Sequence, residues 1–184
     1  GDSITEWWFD WQNHYGKYGA VNFGIGGDKV QNLLWRIYNG EMEMKPKVAV
    51  VLIGTNNIND NPDRIAAGII KVVEAIQEKS PDTKILLLGI FPRGWDANEY
   101  RWYAPRIARV NAIIAKLDDG TKVRFLDIGD KLLEPDGTIS RAVLKDGLHP
   151  SGRGYLRWGA AMQPLLEEMV GKPMPYDAPI LPPL

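Results

Sequence analysis

The chain has no cysteine and only two histidines, His14 and His149, among its 184 residues. The missing cysteine excludes a thiol nucleophile, thiolate metal sites and disulfides. It leaves the compartment open, because disulfide-free proteins occur in the cytosol, the periplasm and outside the cell. No run approaches the roughly 20 apolar residues that a membrane span needs, so membrane insertion is not expected. Neither charge sign is in excess: 22 basic and 23 acidic residues give a formal net charge of −1. Such a balance gives no field that would attract a nucleic acid or an anionic membrane. No signal peptide is visible, and a chain that begins abruptly at Gly1 is compatible with a processed or trimmed product.

What is present is an ordinary soluble composition, 45% hydrophobic and 24% charged, long enough for one domain with a sizeable core. Short β-branched runs alternate with helical patterns, which predicts parallel βαβ units. Strands are expected at 20–23, 47–53, 84–91 and 122–126; the run 47–53 is continuous rather than alternating, so burial on both faces is expected. Helices are expected at about 4–15, 28–39, 62–79, 102–118 and 151–170. Gly171 is a helix stop, which sets a domain over 1–171 and leaves a proline-rich tail over 172–184, read as an extended arm or disordered end. Trp7, Trp8 and Trp11, with Ile4 and Tyr15, follow a helical apolar stripe and are assigned mainly to the core.

Four short blocks carry chemistry, and each also has a purely structural reading. Gly1-Asp2-Ser3 offers a hydroxyl, although Ser3-Ile4-Thr5-Glu6 equally fits a capping box with Ser3 as N-cap. The stretch Asn22-Phe23-Gly24-Ile25-Gly26-Gly27-Asp28 lacks the third glycine of a dinucleotide fingerprint, since position 29 is lysine. It is either a strand-to-helix turn capped by Asp28 or a place where the Gly27 backbone N–H can face an oxyanion. Gly54-Thr55-Asn56-Asn57 is either a plain turn or, at the carboxyl end of a parallel strand, the source of an amide donor. In Asp146-Gly147-Leu148-His149 the spacing lets the carboxylate reach Nδ1–H of the imidazole and leaves Nε2 for a serine. The alternative there is a turn leading to a helix capped by Ser151. A nucleophile at residue 3 also calls for a strand before it, so a central strand upstream of Gly1 is expected.

Taken in this order, the four blocks resemble the GDSL, or SGNH, hydrolase family. Within it the resemblance points to the catalytic α subunits of platelet-activating-factor acetylhydrolase, through Asn22 to Asp28, Leu34-Trp35-Arg36, Asn39-Gly40-Glu41, Lys45 to Asn57 and Leu88 to Gly94. It spans the chain to about Val170. The resemblance implies a flavodoxin-like three-layer α/β/α fold with a parallel sheet, and a serine esterase with no metal and no cofactor. It makes Ser3 the nucleophile, His149 the base and Asp146 its partner. The backbone N–H groups of Ser3 and Gly27 and the side-chain amide of Asn56 become the oxyanion hole. No Gly-x-Ser-x-Gly occurs, which argues independently against the α/β-hydrolase fold.

The expected substrate is a small-molecule or oligosaccharide ester with a short acyl group, acetyl above all, and an O-acetylated carbohydrate is preferred to an acetylated phospholipid. Candidate substrate contacts are Trp95, Tyr100, Trp102 and Arg93, because aromatic side chains after the strand 84–91 are placed to stack on a sugar ring or a glycerol backbone. A thioesterase or lysophospholipase with a longer acyl pocket, and a non-catalytic binding protein of the same fold, stay open. A homodimer is compatible with the sequence, and His14 has no assigned role.

Overall fold

The computed structural model describes residues 1–171, so the proline-rich segment 172–184 lies outside the described residues. Three strands, β1 (Val48–Val51), β2 (Lys84–Leu88) and β3 (Val123–Leu126), form a parallel sheet in that order. The register pairs Val48 with Lys84 and Ile85 with Val123. Successive side chains point to opposite faces, and two cores result. Val51, Ile53, Ile85 and Leu87 pack with helices α3 (Val30–Arg36), α4 (Pro62–Lys79) and α5 (Ala97–Ile114). Leu52, Leu86 and Leu88 pack with α1 (Ser3–Glu6), α2 (Trp11–Tyr15) and α6 (Gly152–Val170). The chain is therefore a three-layer α/β/α domain.

Local chemistry sets the helix boundaries. Asn61 caps α4 by accepting from Asp63 N–H and Arg64 N–H, with Pro62 at the first helical position. Ile65, Ile69, Val72, Val73 and Ile76 then form its buried stripe. The Asp96 side chain caps α5, which starts at Ala97 rather than at the expected 102. Ser151 caps α6 through Gly154 N–H, and Gly171 ends it in the left-handed region at φ 79°. Buried Asn111 of α5 bonds both the N–H and the C=O of Ile90 and donates to Asp127, fixing the segments that leave β2 and β3.

Three expectations are corrected. The segment 20–23 is not a strand. It is held instead by Asn22, whose amide donates to Thr5 C=O and whose carbonyl accepts from Gly24 N–H. An extended segment becomes a strand only where a neighbour supplies a ladder, and both Val21 to Gly24 and Val48 to Leu52 line a cavity of about 520 Å³. The run 47–53 is accordingly not buried throughout: Val50 is 39% exposed, and among the described residues β1 has a strand partner on one side only. The strand expected upstream of Gly1 lies outside the described residues, in which Gly1 and Asp2 lead directly into α1. Finally, the helix expected over 4–15 is two short ones, α1 and α2. No helix among the described residues is long and apolar enough to cross a membrane.

Candidate active site

Ser3 opens α1, but it does not cap it. Asp2 does, accepting from Ile4 N–H at 3.0 Å, so the capping box expected at Ser3 is not formed. At the first helical position the Ser3 N–H has no intrahelical acceptor, and its side chain is free to turn toward the chain's far end. Ser3 Oγ lies 2.9 Å from His149 Nε2 across 146 residues of sequence. Asp146 Oδ2 lies 2.6 Å from His149 Nδ1. The other Asp146 oxygen accepts from the backbone N–H groups of Leu148 and His149 at 3.0 and 2.7 Å. Burial disfavours the Asp146 anion, but those two amides and the imidazole outweigh it and hold the carboxyl below its ordinary range.

The turn that carries Asp146 and His149 is tightly specified. Gly147 sits at φ 76°, and a Cβ there would come within 2.4 Å of Gly94 C=O. Gly94 N–H in turn donates to Gly147 C=O at 2.9 Å, so the loop after β2 rests directly on the turn. Tyr155 of α6 donates to Ile4 C=O at 2.8 Å, which ties the helix after His149 to the helix that bears Ser3.

The loop 22–28 lies beside Ser3. A Cβ on Gly26 would sit 3.9 Å from the Ser3 Cβ, and Gly27 adopts φ 79° with nothing within 4 Å of where a Cβ would stand. Asp28, expected to cap α3, instead bonds Arg36, whose guanidinium also reaches Phe23 C=O, Gly1 C=O and Glu41. This half-buried arginine clamps the loop, a role the sequence reading missed. Asn56 donates to Asp28 C=O at 2.9 Å, joining the turn after β1 to the same loop. Ser3, Gly27 and Asn56 thus belong to three segments that pack on one another at the carboxyl end of the sheet, where open α/β folds place their ligands.

These features match known proteins. Residues 1–157 fit the model of the GDSL-like lipase/acylhydrolase family. The chain belongs to that family. The human platelet-activating factor acetylhydrolase IB subunit alpha1 is 35% identical to this GDSL-like chain over 188 residues, covering 100% of it and 80% of the human protein. Two solved structures share the fold. A GDSL-like lipase from Bacteroides thetaiotaomicron has a TM-score of 0.76 at 22% identity, covering 91% of this chain and 85% of that one. The acetyl xylan esterase AlAXEase has a TM-score of 0.70 at 21% identity, covering 87% and 96%. Membership of this family makes the GDSL-like protein an ester hydrolase.

The candidate substrate contacts separate into two groups. Trp95 is 57% exposed, lies against the Gly147 turn and carries the Arg141 guanidinium 4.4 Å from its ring centroid. Arg93 instead donates to Thr55 C=O and to Thr55 Oγ1 and stacks on Tyr103, bracing the turn that holds Asn56. Tyr100 and Trp102 lie in α5, where the Trp102 ring packs edge-on against Tyr103 and faces Arg106. Trp8 is in the core as expected, but Trp7 is not: it stacks on His149 with ring centroids 4.1 Å apart. A spacing of four from Ser3 was the available signal. His14 pairs with Asp10 on the surface. No group of three or more His, Asp or Glu side chains among the described residues is placed to hold a metal ion.

Proposed function

We propose that Ser3, His149 and Asp146 act as nucleophile, base and orienting acid in the hydrolysis of short-chain esters, chiefly acetyl esters of an O-acetylated carbohydrate. The observation that carries the reading is the hydrogen-bonded series from Ser3 Oγ through both imidazole nitrogens to Asp146, with contacts of 2.9 and 2.6 Å. Ser3 attacks the ester carbonyl while His149 Nε2 takes its proton; the alcohol leaves with that proton, and an acyl-serine remains. Water, deprotonated by the same imidazole, then releases the acid and restores Ser3. Asp146 holds the ring by its Nδ1–H and balances the charge that develops on it. The N–H groups of Ser3 and Gly27 and the second N–H of Asn56 stabilise the oxyanion.

The carbohydrate preference is supported by Trp95, a 57% exposed aromatic residue whose backbone lies against the Gly147 turn and whose indole, with Arg141 over one face, is suited to stack on a sugar ring. An acetylated phospholipid is the second reading, favoured by the 35% identity to the platelet-activating factor acetylhydrolase subunit. Initial rates on acetylated xylo-oligosaccharides and on platelet-activating factor decide between them, with the faster substrate expected to be the sugar. A fluorophosphonate probe should label Ser3, and Ser3→Ala should abolish both labelling and hydrolysis. A folded protein that resists the probe would remove the hydrolase reading.

A further inference from the structure

Trp7 follows the nucleophile by four residues, and its backbone N–H donates to Ser3 C=O at 2.9 Å. Residues four apart on a helical turn share a face, so the Ser3 hydroxyl and the Trp7 indole are presented side by side to whatever approaches α1. His149 approaches there. Its ring has both nitrogens engaged, Nε2 with Ser3 and Nδ1 with Asp146, and the Trp7 indole lies along it at 4.1 Å with the planes 30° apart. The Lys145 ammonium lies 5.1 Å from the centre of the same indole, from the residue that precedes Asp146.

We infer that Trp7 is a positioning residue for the base, an inference that rests on the proposed roles of Ser3 and His149. Hydrogen bonds at the two nitrogens define an axis through the imidazole but leave it free to roll about that axis. A flat indole against one face removes that freedom and keeps Nε2 aimed at Oγ while protons move. The imidazolium that forms during each half-reaction is a cation beside an aromatic face, an arrangement that favours it. The Lys145 side chain meets the indole from the residue just before the turn, so the clamp and the base it clamps are tied to the same five-residue segment, 145–149.

The test compares Trp7→Leu and Trp7→Phe with the unaltered chain in kcat, KM, rate of fluorophosphonate labelling and melting temperature. Leucine fills much of the space without a planar face, whereas phenylalanine restores a ring. Trp7→Leu should lower kcat roughly tenfold with KM unchanged, a part of what a positioned base contributes. Labelling of Ser3 should slow by the same factor, and Trp7→Phe should recover most of both. In solution, proton NMR of a chain with only two histidines should show the His149 ring protons shielded by the indole, moving downfield in Trp7→Leu while those of His14 stay put. A kcat within twofold of the unaltered chain overturns the inference, as does a rise in KM alone, which would make Trp7 a substrate contact. Equal damage in the leucine and phenylalanine variants, tracked by melting temperature, overturns it in favour of packing. Failure of the unaltered chain to label or hydrolyse would instead sink the parent reading, so the two failures are distinguishable.

Discussion

At Asn56 a single amide group serves two acceptors. The Asp28 carbonyl takes one N–H at 2.9 Å, and the other is the donor assigned to the oxyanion. Removing the side chain therefore deletes a donor and also loosens the loop that carries Gly27. Losing one oxyanion donor costs about 2.7–4 kcal/mol of barrier, a hundred- to thousandfold in rate. Asn56→Ala should show at least that loss in kcat on p-nitrophenyl acetate while keeping a cooperative unfolding transition. Turnover near normal would take Asn56 out of the site. Arg93 carries a different lesson. A cation after a strand in an α/β protein reads as a substrate contact, yet here its guanidinium is occupied by Thr55 and Tyr103, and only coordinates distinguish a brace from an open ligand.

Among the elements, the turn Asp146 to His149 concentrates the most constraint. Gly147→Ala must accept a left-handed backbone, at roughly 1 kcal/mol, and also drives a methyl group toward Gly94 C=O, 2.4 Å away. Gly137 has nearly the same φ, 80°, but nothing within 4 Å of its Cβ position, so it isolates the backbone cost. In urea titrations Gly137→Ala should lose about 1 kcal/mol and Gly147→Ala clearly more, with loss of hydrolysis only in the latter; equal losses would show that the loop after β2 does not bear on the turn. This turn was legible because both of its working residues lie in one short stretch. So were α4, whose capping residue, proline and apolar stripe agree, and the end of α6 at Gly171. Segment 20–23 was misread because β-branched and aromatic residues describe an extended backbone but do not supply a ladder partner. The helix over 4–15 was overextended because its aromatic stripe serves two purposes: Trp8 and Tyr15 enter the core, while Trp7 turns to His149. Arg36 and Asp28, eight residues apart, were invisible as a pair because their meeting depends on how the loop 22–28 folds back.

For the molecule as a whole, the sheet brings three loops and two helix ends together, and stability is coupled to pH through the residue beside the nucleophile. Asp2 is fully buried, one of its carboxylate oxygens has no hydrogen-bond partner, and burial pushes its carboxyl from 3.8 up to about 6, against the Ile4 amide that favours the anion. A raised acid binds its proton more tightly in the folded chain, so the stability it contributes is complete below about pH 4 and is lost as pH rises through about 6. Asp146 acts in the opposite sense, its contribution vanishing in acid, but its side chain is 38% exposed and solvent screens the effect. Asp2→Asn keeps an oxygen for the cap and removes the titration. It should flatten the fall in urea midpoint between pH 4 and 6, an effect on the order of 3 kcal/mol; an unchanged slope would show that Asp2 ionises freely. The three groups proposed for catalysis, meanwhile, amount to only two rigid pieces, because Asp146 and His149 share a turn and Ser3 rides on α1. The fold has a single long-range distance to guard, Ser3 to His149, and Tyr155 on Ile4 C=O together with the Trp7 stack are the joints that guard it. Such a machine fails at its joint before it fails in its walls: a slight parting of α1 from α6 would silence the chemistry and leave the sheet and the core on its other face intact, so that this enzyme would be switched off by heat, reversibly, before the rest of the fold is lost.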